Sequence, residues 1–212
     1  GILFSIQSIR LNIVALPGII NPSAAGGATT DPLPYDVYVV VKATSTPAGT
    51  EIDPSDNAHV FGQIYAPGGA TLAAQRNFWG LFYNGSDDYQ VYQRVNAAPT
   101  DINLDHSVSL SSINVIQFSH NDPGGIADTD NSSTFASSIN GGAQITTASA
   151  RYFVDRSATP DYVVALGNDE TSGTGSGNKF RGQIGEIIVY NRVLTTEERA
   201  QITTYLVGKW ST

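Results

Sequence analysis

The stretch FRGQIGEIIVYNRVLTTEERAQITTYLVGKW, residues 180–210, combines a strand, a turn and a helix at the end of the chain. Thr195 is a predicted helix N-cap, and Glu198 three residues later completes a capping box. Two apolar side chains in the following segment recur at helical spacing and are predicted to face the core, namely Ile202 and Leu206. This segment therefore predicts a final core strand that is closed by one short helix.

The rest of the chain has the pattern of an all-β protein. Short segments rich in β-branched and aromatic residues predict strands at 36–45, 59–66, 78–85, 89–95, 113–120, 133–139, 143–148, 161–167 and 183–190. Between them stand Gly, Asn and Asp residues, which supply the positive φ angles of tight turns. Asn140 with Gly141 and Gly142 predicts a hairpin, and Gly208 is predicted to end the helix. Strands at this spacing indicate an antiparallel β-sandwich.

The N-terminal segment has a strand-like pattern of its own. Ile9, Leu11 and Ile13 alternate with polar residues, and the run is too short and too interrupted to span a bilayer as a helix. Such a strand docks either on its own sandwich or on a neighbouring subunit, which would make a homo-oligomer. Because the following residues are rich in Pro, Gly, Ala and Thr, we divide the chain into an N-terminal strand and linker, 1–34, and a sandwich domain, 35–212.

Composition excludes several classes of function. The 212 residues carry a formal net charge of −8 with only 11 Lys and Arg, so no basic patch is expected for nucleic acid. The absence of Cys excludes disulfides, thiolate nucleophiles and Cys-ligated metals. Since the chain starts at Gly1 and contains no Met, a processed chain or a piece of a longer protein is expected.

The terminal stretch resembles the C-terminal signature of concanavalin A-like, laminin-G-like jelly-roll domains. The matching positions are Phe180, Gly182, Ile184, Glu186, Tyr190, Asn191, Arg192, Leu194, Glu198 and Trp210. Earlier segments agree, because YDVYVVVKA resembles an early buried strand of that family, INGG its hairpin and ALGN the segment before its last strand. The resemblance implies a jelly-roll β-sandwich with a short C-terminal helix, and it leaves the activity open.

The charged members of that motif have a structural interpretation. Glu186 lies in an otherwise apolar strand, and a shielded carboxylate needs a cationic or hydrogen-bonding partner. Arg192 is the predicted partner.

The sequence does not favour catalysis. Jelly-roll glucanases place Glu-x-Asp-x-Glu along one strand, and none of the five Glu residues begins such a pattern. His59, His106 and His120 form no HExxH pair and are predicted to be surface or strand-end residues. A Ser, His and Asp triad stays open because its members converge only in three dimensions, although no GxSxG elbow is present. We therefore expect a protein that is not an enzyme.

Two segments are candidates for ligand binding. Asp128, Asp130 and Ser132 alternate as oxygen ligands do in some calcium loops, and the alternative is a solvated acidic turn. An aromatic-rich segment beside acidic and amide residues is the candidate glycan site, because a ring can hold the C–H face of a sugar. Its predicted members are Trp79, Tyr83, Asn84, Asp87, Asp88 and Tyr89. The alternative is that half of the rings belong to the core.

Two classes of function remain open. The first is a non-catalytic module that binds a cell-surface or extracellular glycan, such as a phage receptor-binding tip or the lectin-like part of a secreted bacterial protein. The second is a structural subunit, such as a capsid decoration protein, that assembles through its N-terminal strand. Either class predicts an extracellular, cell-surface or virion setting.

Overall fold

The computed structural model of the chain describes residues 9–11, 34–44, 58–65, 77–83, 88–95, 102–109, 111–121, 134–147, 162–167 and 180–210. The strands within these ranges are β1 Ile9–Leu11, β2 Tyr35–Ala43, β3 Ala58–Tyr65, β4 Asn77–Tyr83, β5 Asp88–Val95, β6 Ile102–Ser107, β7 Asn114–Asn121, β8 Thr134–Ile139, β9 Ile145–Thr147, β10 Tyr162–Leu166 and β11 Gly182–Tyr190. One helix, α1 Thr196–Trp210, follows the last strand.

The strands form two antiparallel sheets. One sheet has six strands in the order β1-β10-β3-β4-β5-β6, and the other has five in the order β11-β2-β7-β8-β9. Buried side chains from both sheets make one core between them. The predicted all-β jelly-roll sandwich with a short C-terminal helix is thus confirmed.

Strand β2 is buried on both faces, as its Val-rich sequence predicts. Val37, Val39 and Val41 point into the core between the sheets. Tyr38 and Val40 point the other way, into a second cluster that α1 covers with Leu206. Full burial of one such aliphatic side chain stabilises the fold by roughly 1.5 to 3 kcal/mol. Apolar contact is therefore one of the interactions that hold the helix on the sheet.

The predicted helix cap is present. The Glu198 backbone N–H donates to Thr195 Oγ1 at 3.2 Å, and the Thr195 N–H donates to Glu198 Oε2 at 2.9 Å. The prediction for Gly208 is wrong, because α1 runs through it to Trp210. A Cβ built on Gly208 meets no atom within 4 Å. Its backbone is helical and solvated, so this glycine has no role in stopping the helix.

The predicted hairpin after β8 is confirmed. Asn140 and Gly141 have φ angles of 50° and 74°, and the Gly142 N–H donates to the Ile139 carbonyl at 2.8 Å. Two consecutive positive φ angles are typical of a type I′ turn, whose twist suits an antiparallel hairpin. The Asn140 side chain accepts from the Val115 N–H at 2.8 Å, which ties the turn to β7.

The N-terminal strand lies on its own sheet. Ile9, Arg10 and Leu11 pair with Leu166, Ala165 and Val164 of β10. This pairing corresponds to the first of the two predicted alternatives. The division of the chain at residue 34 stays a prediction.

Candidate functional site

The outer face of the six-stranded sheet at β5 and β6 carries an alternating set of polar side chains. In β5, Tyr89 and Val91 are buried in the core, whereas the residues between and beside them are half-buried. In β6, Leu104 and His106 are buried and their neighbours are exposed. The outward members, which we call the β5–β6 face, are Asp88, Gln90, Tyr92, Asn103, Asp105 and Ser107.

The register brings these six side chains together in pairs. Asp88 is opposite Ser107, Gln90 is opposite Asp105, and Tyr92 is opposite Asn103. Directly opposite residues of an antiparallel pair have Cβ atoms about 4.5–5.5 Å apart. The face therefore concentrates two carboxylates, two amides, a hydroxyl and an aromatic ring. On the other side of β5, Gly80 of β4 is the partner of Tyr92 and adds no side chain there.

Strand β5 is fixed to the opposite sheet by Tyr89. The Ala43 N–H at the end of β2 donates to the Tyr89 hydroxyl at 3.0 Å, and burial raises the pKa of that phenol. The ring lies 5.1 Å from the ring of Tyr83, which is also buried. Tyr83 and Tyr89 are thus core residues, contrary to the prediction that they contact a ligand.

Strand β6 is fixed in a similar way by His106. Its Nε2 is 2.7 Å from Ser137 Oγ of β8, so this hydrogen bond crosses between the two sheets. Burial lowers the pKa of His106, because the charged imidazole would lose its hydration. Of the two predicted positions for His106, the surface is wrong because the side chain is buried, whereas the residue does lie next to the end of β6. The inward side chains of both strands are thus bonded to the opposite sheet, and this support holds the outward side chains of the β5–β6 face in place.

The remaining predicted ligand-binding residues have different positions. Asp88 lies on the β5–β6 face. Trp79 lies in β4, with its backbone opposite Gln63 and Gln93. The others lie outside the described residues, namely Asn84, Asp87, Asp128, Asp130 and Ser132. Within the described ranges, no group of three or more His, Asp or Glu side chains is placed to hold a metal ion.

A second polar cluster lies under α1, on the outer face of the five-stranded sheet. Asp36 is fully buried there and accepts hydrogen bonds from Gln117 Nε2 at 2.8 Å, Arg199 Nε at 2.8 Å and the Leu194 N–H at 3.2 Å. Burial raises the pKa of Asp36, and the hydrogen bonds from Gln117 and Arg199 oppose that shift. Because all three donors belong to the fold itself, this cluster fastens the helix to the sheet.

The predicted pair of Glu186 and Arg192 is wrong. Glu186 Oε2 accepts from Lys209 Nζ at 2.9 Å and from Trp210 Nε1 at 3.1 Å. Arg192 instead makes a two-pronged bond with Glu198 in the first turn of α1. The helix runs back along β11, so its last turn, and not the nearby loop, reaches Glu186. The Glu186 ion pair joins α1 to β11, and the Glu198 ion pair joins α1 to the turn before it.

Of the described helical residues, none forms a segment that is both long and apolar enough to cross a membrane. No protein-family model matches the sequence. No curated protein matches it significantly in sequence either.

In fold, the chain is similar to the CBM40 carbohydrate-binding module of the Ruminococcus gnavus IT-sialidase bound to alpha2,3 sialyllactose. The TM-score is 0.55 with 18% identity, and the match covers 83% of this chain and 84% of that chain. A heptameric SAP-like pentraxin from Limulus polyphemus matches with a TM-score of 0.50 and 10% identity over 84% of this chain and 73% of that one. At these identities the likenesses show the fold alone, a β-sandwich of two antiparallel sheets.

The Trypanosoma rangeli sialidase in complex with sialic acid matches with a TM-score of 0.51 and 18% identity. The match covers 84% of this chain but only 23% of the sialidase. The similarity is therefore to one part of that larger enzyme.

Proposed function

We propose that the protein is a non-catalytic carbohydrate-binding module that holds glycans on the β5–β6 face. One observation carries the proposal: alternation along two anchored strands puts carboxylate, amide, hydroxyl and aromatic groups on a single outer face. Sugar hydroxyls both donate and accept hydrogen bonds, so carboxylates and amides suit them, and the Tyr92 ring offers a flat apolar surface to C–H groups. The fold similarity to a module solved with sialyllactose supports the same class of ligand.

The chemistry of the face supports binding without hydrolysis. A glycosidase needs two carboxyl groups in different environments, one of them shielded so that it keeps its proton near neutral pH. Asp105 is exposed, and Asp88 is half-buried. The two described Glu residues with ion-pair partners, Glu186 and Glu198, belong to the closure of the fold by α1. Incubating bound glycans with the protein and analysing the products by mass spectrometry should show no cleavage.

The proposal is tested on a glycan array with the wild-type protein and two variants, Tyr92→Ala and Asn103→Ala. Each change removes one contact group from the face and should weaken binding about tenfold, because an aromatic or hydrogen-bonding contact typically contributes about 1 to 1.5 kcal/mol. Thr146→Ala is the matched control, since Thr146 is exposed on β9 of the other sheet. Equal binding by all four proteins would place the glycan elsewhere.

The prediction that Trp79, Asn84 and Asp87 contact the glycan stays part of this proposal. Trp79→Ala should also abolish array binding if its ring contacts the sugar. We further propose that the module belongs to a larger extracellular or virion protein, where a glycan-binding part directs attachment. The gene sequence upstream of Gly1 is the direct test, since a secretion signal or a virion-attachment domain would be encoded there.

A further inference from the structure

Strand β6 lies at the edge of the six-stranded sheet, and within the described part of the chain it pairs only with β5. It nevertheless supplies half of the β5–β6 face, namely Asn103, Asp105 and Ser107. An edge strand has fewer contacts than an interior strand, so its local opening costs less free energy. The interactions that keep β6 in place therefore also keep the proposed glycan site complete.

His106 provides one of these interactions. Its side chain is 5% exposed, and its Nε2 lies 2.7 Å from Ser137 Oγ of β8 in the opposite sheet. A hydroxyl can donate to a neutral imidazole or accept from it, so either tautomer of the ring can make this bond. A protonated ring at the same place would be a buried charge, which is costly without water or a carboxylate partner.

The described surroundings of His106 do little to stabilise a positive charge. Opposite it on β5 is Tyr89, a buried phenol that accepts a hydrogen bond from the Ala43 N–H, and strands β8 and β9 contain no titratable residue. His120 of β7, the other buried histidine, would add a repulsive charge if it were protonated. Asp105, the preceding residue of β6, raises the pKa of His106, but burial lowers this pKa by more. Protonation of His106 therefore favours the state in which β6 has left the sheet.

We propose that His106 is a positioning residue that makes the module release its glycan at acidic pH, an inference that rests on the proposed function. The pKa of an unfolded histidine is about 6.5, and that of His106 in the fold is lower. Below about pH 6.5 the proton is therefore taken up preferentially when β6 is detached. One pH unit below this value, opening of β6 becomes up to about tenfold more favourable. Because affinity falls with the fraction of molecules whose site is ordered, glycan binding weakens over the same range.

Binding to a printed array of neutral and sialylated glycans at pH 7.5 and at pH 5.5 tests the release. Wild-type binding should weaken by about threefold or more at the lower pH, as the fraction of ordered sites falls. In His106→Gln the ratio of binding at the two pH values should stay close to one, because an amide can bond to Ser137 but does not take up a proton. His120→Phe is the matched control: it removes the other buried histidine and should keep the wild-type ratio.

Amide hydrogen exchange of residues 102–107 measures the opening of β6 without any glycan. After correction for the intrinsic rate, exchange should rise up to about tenfold from pH 7.5 to pH 5.5 in the wild type and in His120→Phe, but not in His106→Gln. Ser137→Ala should already exchange faster than the wild type at pH 7.5, because this variant lacks the hydroxyl that bonds His106.

The two levels of the proposal fail in different ways. Clear glycan binding with the same pH response in the wild type and in His106→Gln would overturn the inference and leave the carbohydrate-binding proposal standing. Wild-type exchange rates for β6 in Ser137→Ala would also overturn the inference, even if His106→Gln does not fold. The absence of any glycan signal at both pH values would overturn both levels. Melting curves at each pH establish which variants are folded.

Discussion

His120 is a polar side chain in an apolar environment. Its ring is fully buried in the sandwich and stacks on Tyr35 at a centroid distance of 5.8 Å, with Phe135 as a cross-strand partner. Among the described residues, neither ring nitrogen of His120 finds a hydrogen-bond partner. Burial lowers its pKa to about 4, so the ring is neutral at physiological pH. Of the two predicted positions for His120, the surface is wrong, because the strand's alternation places His120 on the same face as Phe118, whereas the residue does lie next to the end of β7.

This burial makes a pH-dependent contribution to stability. The folded pKa of His120 lies below the unfolded value of about 6.5, so between these values only the unfolded chain takes up the proton. The free energy of unfolding should therefore fall as pH drops from about 7 to 4, by about 3 kcal/mol from this residue. The pKa of His106 is also lowered, so His106 likewise makes the fold less stable as pH drops. The pKa of Asp36 is raised, so Asp36 makes the fold more stable as pH drops.

The variant His120→Phe isolates the contribution of His120 to this pH dependence, since His106 and Asp36 are unchanged in the variant. Urea unfolding at pH 7, 6, 5 and 4 should show that the wild type loses about 3 kcal/mol more than the variant over this range. Phe keeps the ring that packs against Tyr35 and removes the two nitrogens. Parallel pH profiles for the two proteins would mean that His120 is hydrated or partnered in solution.

At the scale of the element, α1 is fastened by one buried charge. The Asp36 carboxylate receives the Arg199 guanidinium of the helix, the Gln117 amide of β7 and the N–H of Leu194 just before the helix. The side chain of Asp36 is fully buried and that of Arg199 is 21% exposed, so water cannot replace either partner completely. The helix cap, the Asp36–Arg199 ion pair and the apolar contacts all stabilise the same fifteen-residue helix.

We expect Asp36→Ala to lower the free energy of unfolding by about 3 kcal/mol, because it leaves a shielded guanidinium and two buried donors without their acceptor. Gly208→Ala is a control in the same helix and should act in the other direction, raising stability by about 0.5 to 1 kcal/mol through helix propensity. Urea unfolding followed by circular dichroism measures both changes. A loss below about 1 kcal/mol for Asp36→Ala would show that the carboxylate contributes little to docking of the helix.

At the scale of the whole molecule, most strands were predictable because their signals are local. Alternation and turn residues placed nine strands within two residues of their observed ends. Strand β6 was missed because one of its inward side chains is His106, and its burial depends on Ser137, which lies 31 residues further along the chain. Sequence proximity also suggested Arg192 for Glu186, although the returning helix brings Lys209 there from 23 residues away.

The candidate site was predictable only in part for the same reason. The density of aromatic residues pointed to the β4–β5 segment but not to the face on which each ring lies. Alternate residues of a strand point to opposite faces of the sheet. Tyr89 is on the same face as Val91 and points inward, whereas Tyr92 is on the same face as Asp88 and Gln90. Asn103 and Asp105 join the β5–β6 face only because β6 pairs with β5, and no local feature of the sequence predicts this pairing.

The N-terminal strand decides how the six-stranded sheet ends. Because β1 pairs with β10, its removal would leave β10 as an unprotected edge, and open edges pair with other chains. Deleting residues 1–20 should therefore give a protein that melts several degrees lower or aggregates, as measured by scanning calorimetry and light scattering. Deleting residues 1–8 is the control, since Ile9–Leu11 remains in place. If the full chain were an oligomer and the 1–20 deletion a stable monomer with an unchanged melting temperature, the strand would act between subunits. The structural-subunit hypothesis would then gain over the glycan-binding one, because assembly and not edge protection would explain the segment.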